Sequence, residues 1–238
     1  ATLLYFFGSS SGLSRAFARR KRAIERDKFA KGSQRDLAQV AANGGVAAAL
    51  ALASATASGR QRRGLLMAGF VGALATANAD TWATEIGTLS RRPPRLITTG
   101  RVVEAGTSGG VTALGLAATT AGALSLSAVH LAARRLVRGR DPASEPWRTC
   151  AAATVGGVAG SLVDSVLGAV WQAMYRCPRC AVETERRVHS CGTRTEYVRG
   201  VPWMDNDVVN ALSTASGALV GGAVWRLARR TSQLPGGD

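Results

Sequence analysis

Acids and amides in this sequence collect where apolar stretches give way to arginine-rich ones. In Asn78-Ala79-Asp80-Thr81-Trp82-Ala83-Thr84-Glu85-Ile86-Gly87, two carboxylates and three hydrogen-bonding side chains close one apolar block. Acids inside membrane-length segments are costly, and their default reading is functional. On a helix Asp80 and Glu85 stand about 140° apart, so using both requires a broad interior-facing arc or a break in the helix. Asp164 lies in a series with Gly156, Gly160 and Gly168, spaced four apart. That spacing stacks all four on one stripe and turns Asp164 toward a neighbouring helix. There it either ties two helices by a hydrogen bond or contacts a cation or substrate. A third group, Asp205-Asn206-Asp207-Val208-Val209-Asn210, opens the last apolar block, with Asn206 and Asn210 one turn apart and Asp207 on the arc of Asn210. Capping of a helix start suits Asp205 or Asn206 but leaves Asn210, a turn deeper, unexplained.

Basic and hydroxyl residues stand near these acids. Lys31-Gly32-Ser33-Gln34-Arg35-Asp36 leads into a block with Gln39 and Asn43 on one face, and Leu96-Ile97-Thr98-Thr99-Gly100-Arg101 runs on to Thr107-Ser108-Gly109-Gly110. A hydroxyl and glycine turn before a helix start offers backbone N–H groups and a favourable dipole end to an anion. In the resulting site Asp80, Asp164 and Asp207, with Glu85 or Asp205 assisting, would hold Mg²⁺. Arg35, Arg95 and Arg101 would neutralise phosphates, Thr98, Thr99, Thr107, Gly109 and Gly110 would add donors, and Asn43, Asn206 and Asn210 would orient oxygens. Such an inventory fits phosphoryl or nucleotidyl transfer, which is mostly positioning and charge neutralisation. No Gly-x-x-x-x-Gly-Lys loop is present, so a nucleotide must be held in another way. The two histidines, His130 and His189, both fall away from the acids. Chemistry without a strong base is therefore favoured, as with a phosphate monoester, whose second pKa of about 6 makes it a dianion near neutrality.

Cys177-Pro178-Arg179-Cys180, followed by His189 and Cys191, supplies four ligands for a small structural Zn²⁺ knuckle in a polar loop. A redox-active pair and plain reduced thiols are the competing readings. Cys150, at the start of an apolar block, reads as a small apolar residue.

These residues need elements to place them. Apolar blocks at 37–57, 64–87, 109–133, 149–174 and 206–228 each approach the roughly 20 residues that cross a bilayer. Ala and Gly replace Leu in them, which predicts close backbone packing. The expectation is an all-α polytopic transmembrane bundle of at least five spans, one integral membrane domain over 1–238 with a loop at 175–205; long soluble helices with buried alanine faces are the alternative. A formal charge of +15 would suit nucleic acid, but a soluble binder has no need of membrane-length blocks, and no nucleic-acid partner is expected. With five spans, the connections at 8–36, 88–108 and 175–205 share one side and hold 19 of the 30 Lys and Arg. The positive-inside rule makes that side cytoplasmic. An apolar opening at 1–7, ending at Gly8 without a basic start, reads as the tail of a span whose beginning lies upstream. Richness in Ala, Gly and Arg suggests a bacterial genome of high GC content, and hence a bacterial cytoplasmic membrane.

Several ordered motifs resemble the transmembrane protein 19 family, also described as domain of unknown function 92. They are Phe6-Phe7-Gly8-Ser9-Ser10-Ser11, Gly32-Ser33-Gln34-Arg35-Asp36, the run from Asn78 to Gly87, Pro94-Arg95-Leu96-Ile97-Thr98-Thr99, Gly106-Thr107-Ser108-Gly109-Gly110-Val111-Thr112, the run from Gly160 to Ala169, and Asp205 to Asn210. Its characterised branch is the phytyl-phosphate kinase of tocopherol synthesis. The resemblance implies transfer of a terminal phosphate from CTP or UTP to a prenyl monophosphate lipid, and the cysteine loop departs from the animal members. A nucleotidyltransferase forming a CDP-linked lipid would share the metal and differ in the phosphorus attacked. An ion-coupled carrier also uses intramembrane acids but binds near the midplane, whereas these motifs collect at one mouth; a scaffold would not account for them.

Overall fold

The computed structural model describes residues 1–29, 36–138 and 146–231. Six helices fill most of them: α1 (Thr2–Asp27), α2 (Leu37–Thr56), α3 (Arg60–Gly87), α4 (Ala113–Arg138), α5 (Pro146–Val170) and α6 (Asn206–Thr231). Two small antiparallel ribbons join them at one end. The first pairs β1 (Arg95–Leu96) with β2 (Gly110–Val111), and the second has β3 (Met174–Arg176) between β4 (Glu183–Thr184) and β5 (Glu196–Arg199). This is an all-α polytopic membrane protein. Helices α2, α4, α5 and α6 are each long and apolar enough to cross a bilayer.

The expected span at 64–87 behaves differently. Helix α3 carries Asn78, Asp80, Thr81, Thr84 and Glu85 and falls short in hydropathy, yet it packs against all five other helices. Protein neighbours bury it in place of lipid, from Ala68 through Ala79 almost without interruption. Its 28 residues rise about 42 Å, enough to run the full depth of the bundle.

Small residues make the packing possible. At the crossing of α3, α5 and α6, a methyl group on Gly72 would come within 2.7 Å of the Gly217 carbonyl, and one on Gly156 or Gly160 would strike the Gly217 carbonyl or Thr76. Around this contact Val71, Leu74, Ala75, Ala123, Leu126 and Ala153 form the main core. Leu167, Met204 and Val209 form a second core beneath the α5–α6 connection.

Several boundaries differ from the sequence reading. The connection expected over 8–36 is helical as far as Asp27, because Ser9 and Ser14 face α3: Ser9 Oγ donates to Asn78 Oδ1 and Ser14 Oγ to Glu85 Oε1, both at 2.8 Å. The block at 109–133 becomes helical only at Ala113. Gly109, at φ +80, turns the chain, Gly110–Val111 pairs with Arg95–Leu96, and Thr112 Oγ1 accepts from Gly115 N as the helix begins. The block at 149–174 starts earlier, at Pro146, and its helix stops at Val170, with the last residue, Met174, opening β3.

Candidate active site

The residues that follow α1, Lys28 and Phe29, meet the α3–α4 and α5–α6 connections at one end of the bundle, where Lys28 pairs with Glu104, Lys28 O accepts from Glu185 N at 2.9 Å, and Ser108 Oγ donates to Gln172 Oε1. Between them and the helix ends lies a cavity of about 170 Å³. Helix α3 contributes Asp80, Thr84 and Gly87, residues four and three apart and so on one face. Helix α5 contributes Ser161, Asp164 and Ser165, and the α3–α4 connection lies across the mouth with Arg92 and residues 106–112. Glu185 and Phe29 close the remaining side.

Asp80 and Asp164 thus line one cavity from separate helices. Asp164 Oδ2 also accepts from Ser213 Oγ of α6 at 3.0 Å, the hydrogen bond between helices that one of its two sequence readings expected. The other three expected carboxylates are elsewhere. Glu85 is 5% exposed and turned to Ser14 of α1, as its angle from Asp80 requires. Asp205 caps α6, its Oδ1 accepting from Asp207 N at 3.0 Å and Val208 N at 3.1 Å. Asp207, in the first turn of α6, is half-buried outside the cavity lining. Asn210 is buried, its carbonyl accepting from Ser213 Oγ at 3.0 Å.

The expected phosphate ligands divide as well. Thr107, Gly109 and Gly110 line the cavity. Gly110 N is used within the turn, donating to Thr107 O at 2.9 Å, whereas the N–H groups of Ser108 and Gly109 enter no hydrogen bond among the described residues. Arg95, Thr98, Thr99 and Arg101 are exposed on a hairpin closed by Leu96 N to Arg101 O, with Gly100 at φ +69 at its tip, and none lines the cavity. Arg95 donates instead to the Gly100 carbonyl at 2.8 Å. Asn43 binds Gln39 O within α2, and Asn206 borders a neighbouring groove of about 340 Å³ with Gln172, Glu185 and Trp203. Arg35 lies outside the described residues. His130 bonds Thr2 Oγ1 at 3.1 Å, three turns along α4 from the cavity residue Thr119.

Sequence reasoning missed Arg92, Thr84, Ser161, Ser165 and Glu185 as cavity residues. The hydroxyls had a signal, since Thr84 is one turn from Asp80 and Ser161 and Ser165 flank Asp164. Glu185 had none, because it arrives through tertiary contacts. Its Oε1 accepts from Gln172 Nε2 at 2.8 Å, which links it to Ser108. Arg199 adds a further tie, its Nη1 donating to the Ala169 carbonyl at 2.7 Å at the end of α5 while its Nε meets Glu183. At the surface Lys28, by hydrogen bond and charge, holds the Glu104 carboxyl below its ordinary range.

The cysteine loop sits against this end. Ligand atoms of Cys177, Cys180, His189 and Cys191 all lie within 4.8 Å of one another, and the cysteines are free thiols. Hydrogen bonds with Thr193 and His189 draw the Cys191 thiol down to about 5, while Cys180, hydrogen-bonded to Cys191 and crowded by Cys177, is pushed up to about 11.

Comparison with known proteins places relatives beside this chain. A family model described as integral membrane protein DUF92 matches residues 1–218. Protein PGR of Arabidopsis thaliana is 33% identical over 225 residues, covering 90% of this chain and 76% of the plant protein. An uncharacterized membrane protein of Methanocaldococcus jannaschii is 38% identical over 104 residues, 44% of this chain and 40% of that protein. No solved structure matches.

Proposed function

The chain belongs to the integral membrane protein family DUF92, and we propose that it is a membrane-embedded kinase that moves the terminal phosphate of CTP or UTP to a prenyl or phytyl monophosphate, giving the diphosphate. The observation that carries this reading is the meeting of Asp80 and Asp164, from separate helices, in one cavity with the 106–110 turn and Arg92. Two facing carboxylates repel unless a cation or proton intervenes. With the hydroxyls of Thr84, Ser161 and Ser165 beside them, they form an all-oxygen donor set that fits Mg²⁺. Bound there, Mg²⁺ would neutralise phosphate oxygens during transfer.

The chain's own groups do the rest. Ser213 fixes Asp164 from α6, so the carboxylate is oriented before any ligand arrives. The N–H groups of Ser108 and Gly109 and the Arg92 guanidinium offer donors to phosphate oxygens at the mouth. Ser108 is itself steadied through Gln172 and Glu185. A monoester acceptor is already dianionic near neutral pH, with a second pKa of about 6, so no base is needed and the remoteness of His130 is no obstacle. Leu116 and Leu162 give the same cavity an apolar wall, where the first carbons of a lipid tail can leave toward the bilayer. The stretches 8–36, 88–108 and 175–205, the first of them largely the C-terminal part of α1, carry 19 of the 30 Lys and Arg, which supports a cytoplasmic mouth.

The test is transfer from CTP or UTP labelled in the terminal phosphate to phytyl or geranylgeranyl monophosphate in detergent or liposomes. Label on the lipid is expected, with loss of transfer in Asp80→Asn and Asp164→Asn. Label in pyrophosphate would mark a nucleotidyltransferase instead. Undiminished transfer by both folded variants would remove the acids from the mechanism.

A further inference from the structure

The loop between α5 and α6 contains a sheet too small to stand alone. Its strands are two to four residues long, with exposed or half-exposed side chains at most positions. Strands this short, without a hydrophobic face to bury, are marginal in water, and small units of this kind need a covalent or metal staple. Four donor groups are placed to provide one. Cys177 and Cys180 flank the turn between β3 and β4, where Ala181, at φ 57, lets its N–H return to Cys177 O at 2.8 Å. His189 and Cys191 stand in the connection from β4 to β5, where the His189 carbonyl accepts from Gly192 N at 2.8 Å.

The separations are those of a coordination sphere. Two thiolates about 2.3 Å from a tetrahedral ion lie about 3.8 Å apart, and a thiolate and an imidazole nitrogen about 3.5 Å apart. Here Cys177 Sγ and Cys191 Sγ are 3.7 Å apart, and Cys191 Sγ and His189 Nδ1 3.3 Å. A disulfide needs about 2.05 Å between sulfurs, so the same pair is far from bonded. Cys177 is fully buried and His189 is 4% exposed, whereas Cys180 is exposed, so the cluster opens to solvent on one side only.

We propose that Cys177, Cys180, His189 and Cys191 bind one structural Zn²⁺ that staples the α5–α6 loop and thereby holds Glu185 against the cavity. Three thiolates and one imidazole form a closed sphere of soft and borderline donors, which selects zinc over magnesium or calcium and leaves no position for substrate. Binding replaces the thiol protons with the metal, so it couples to folding of the loop. Glu185 lies one residue beyond β4, and its N–H donates to Lys28 O while Thr184 Oγ1 donates to the same carbonyl at 3.1 Å. The staple therefore fixes the α1 end and the cavity wall together. This inference does not depend on the kinase reading.

Elemental analysis of the full chain, purified in detergent from cells grown with zinc, tests it. About one zinc per chain is expected. Cys180→Ser and His189→Ala should lower that content several-fold, whereas Cys150→Ser should leave it unchanged. Cobalt-substituted protein should show the visible bands of a tetrahedral thiolate site. Hydrogen exchange should quicken across residues 174–199 when a chelator strips the metal. Wild-type zinc no higher than that of Cys180→Ser, or a Cys177–Cys191 disulfide in protein purified under reducing conditions, would overturn the proposal.

Discussion

Substituting Gly109 by alanine separates what the 106–110 turn does from what any strained glycine does. Gly109 sits at φ +80, where a side chain costs about 1–2 kcal/mol. Its added methyl would also lie 2.6 Å from the backbone nitrogen of Ala169 and 2.7 Å from its Cα, against 3.4–4 Å for ordinary contact. The end of α5 is held there by Arg199, so the turn must retreat by roughly 1 Å; a misplacement of about 1 Å in a positioning group can lower the rate about 100-fold. Gly100 is the matched control. It has φ +69 and nothing within 4 Å of an added methyl, and it lies on the exposed hairpin. Gly109→Ala should therefore lose about two orders of magnitude in kcat/KM for terminal-phosphate transfer, with a fall in melting temperature of roughly 2–8 °C from the strain, while Gly100→Ala, carrying the same strain, stays within a fewfold of wild-type activity. Equal activities in the two variants would refute the reasoning that the turn is seated on α5 to form the site.

Three further outcomes follow from the packing and the charges. Gly156→Ala should destabilise the bundle by about 1–3 kcal/mol through overpacking at the Gly217 carbonyl; Gly44→Ala, with open space around it, should gain up to about 1 kcal/mol of helix propensity, and denaturant unfolding in mixed micelles measures both. Asn78→Ala removes two 2.8 Å hydrogen bonds, a part-buried one from Ser9 and a buried one to the Gly122 carbonyl, and should cost about 2–3 kcal/mol by the same assay. Arg92→Ala should raise the KM for nucleotide about tenfold or more, as loss of a charge-assisted bond does, while Arg95→Ala and Arg101→Ala leave it nearly unchanged; steady-state kinetics at fixed lipid distinguishes them.

Much of the bundle is written in hydrophobic length. Blocks of 21 to 26 residues gave α2, α4, α5 and α6 to within a few residues, because lipid imposes one solution on such stretches. Helix α1 was hidden by its own composition. Gly8-Ser9-Ser10-Ser11-Gly12 begins the connection expected over 8–36, yet Ser10 is fully buried and Ser9 is bonded to α3, so tertiary contact overrides local preference. At the site, helical spacing separates Asp80 from Glu85 and aligns Asp164 with the glycine stripe, and both were legible. The phosphate ligands were less so. Thr98-Thr99-Gly100 and Thr107-Ser108-Gly109 have the same residue types, since glycine and hydroxyl side chains serve hairpin tips as well as anion cradles. Only the packing of Gly109 on Ala169 tells them apart. Glu185 could not have been read at all, for it reaches the cavity through a loop whose shape depends on Gln172, Lys28 and the cysteine cluster.

On the kinase reading, Asp80 and Asp164 form one divalent-cation site between α3 and α5. Crystals of the full chain soaked with Mn²⁺ and a non-hydrolysable CTP analogue test it through the anomalous difference map. A single strong peak within about 2.0–2.6 Å of oxygens from both residues is the expected result. A map with no peak in this cavity at saturating Mn²⁺, or with manganese bound only at Glu85, Asp205 or Asp207, would rule out a shared Asp80–Asp164 site.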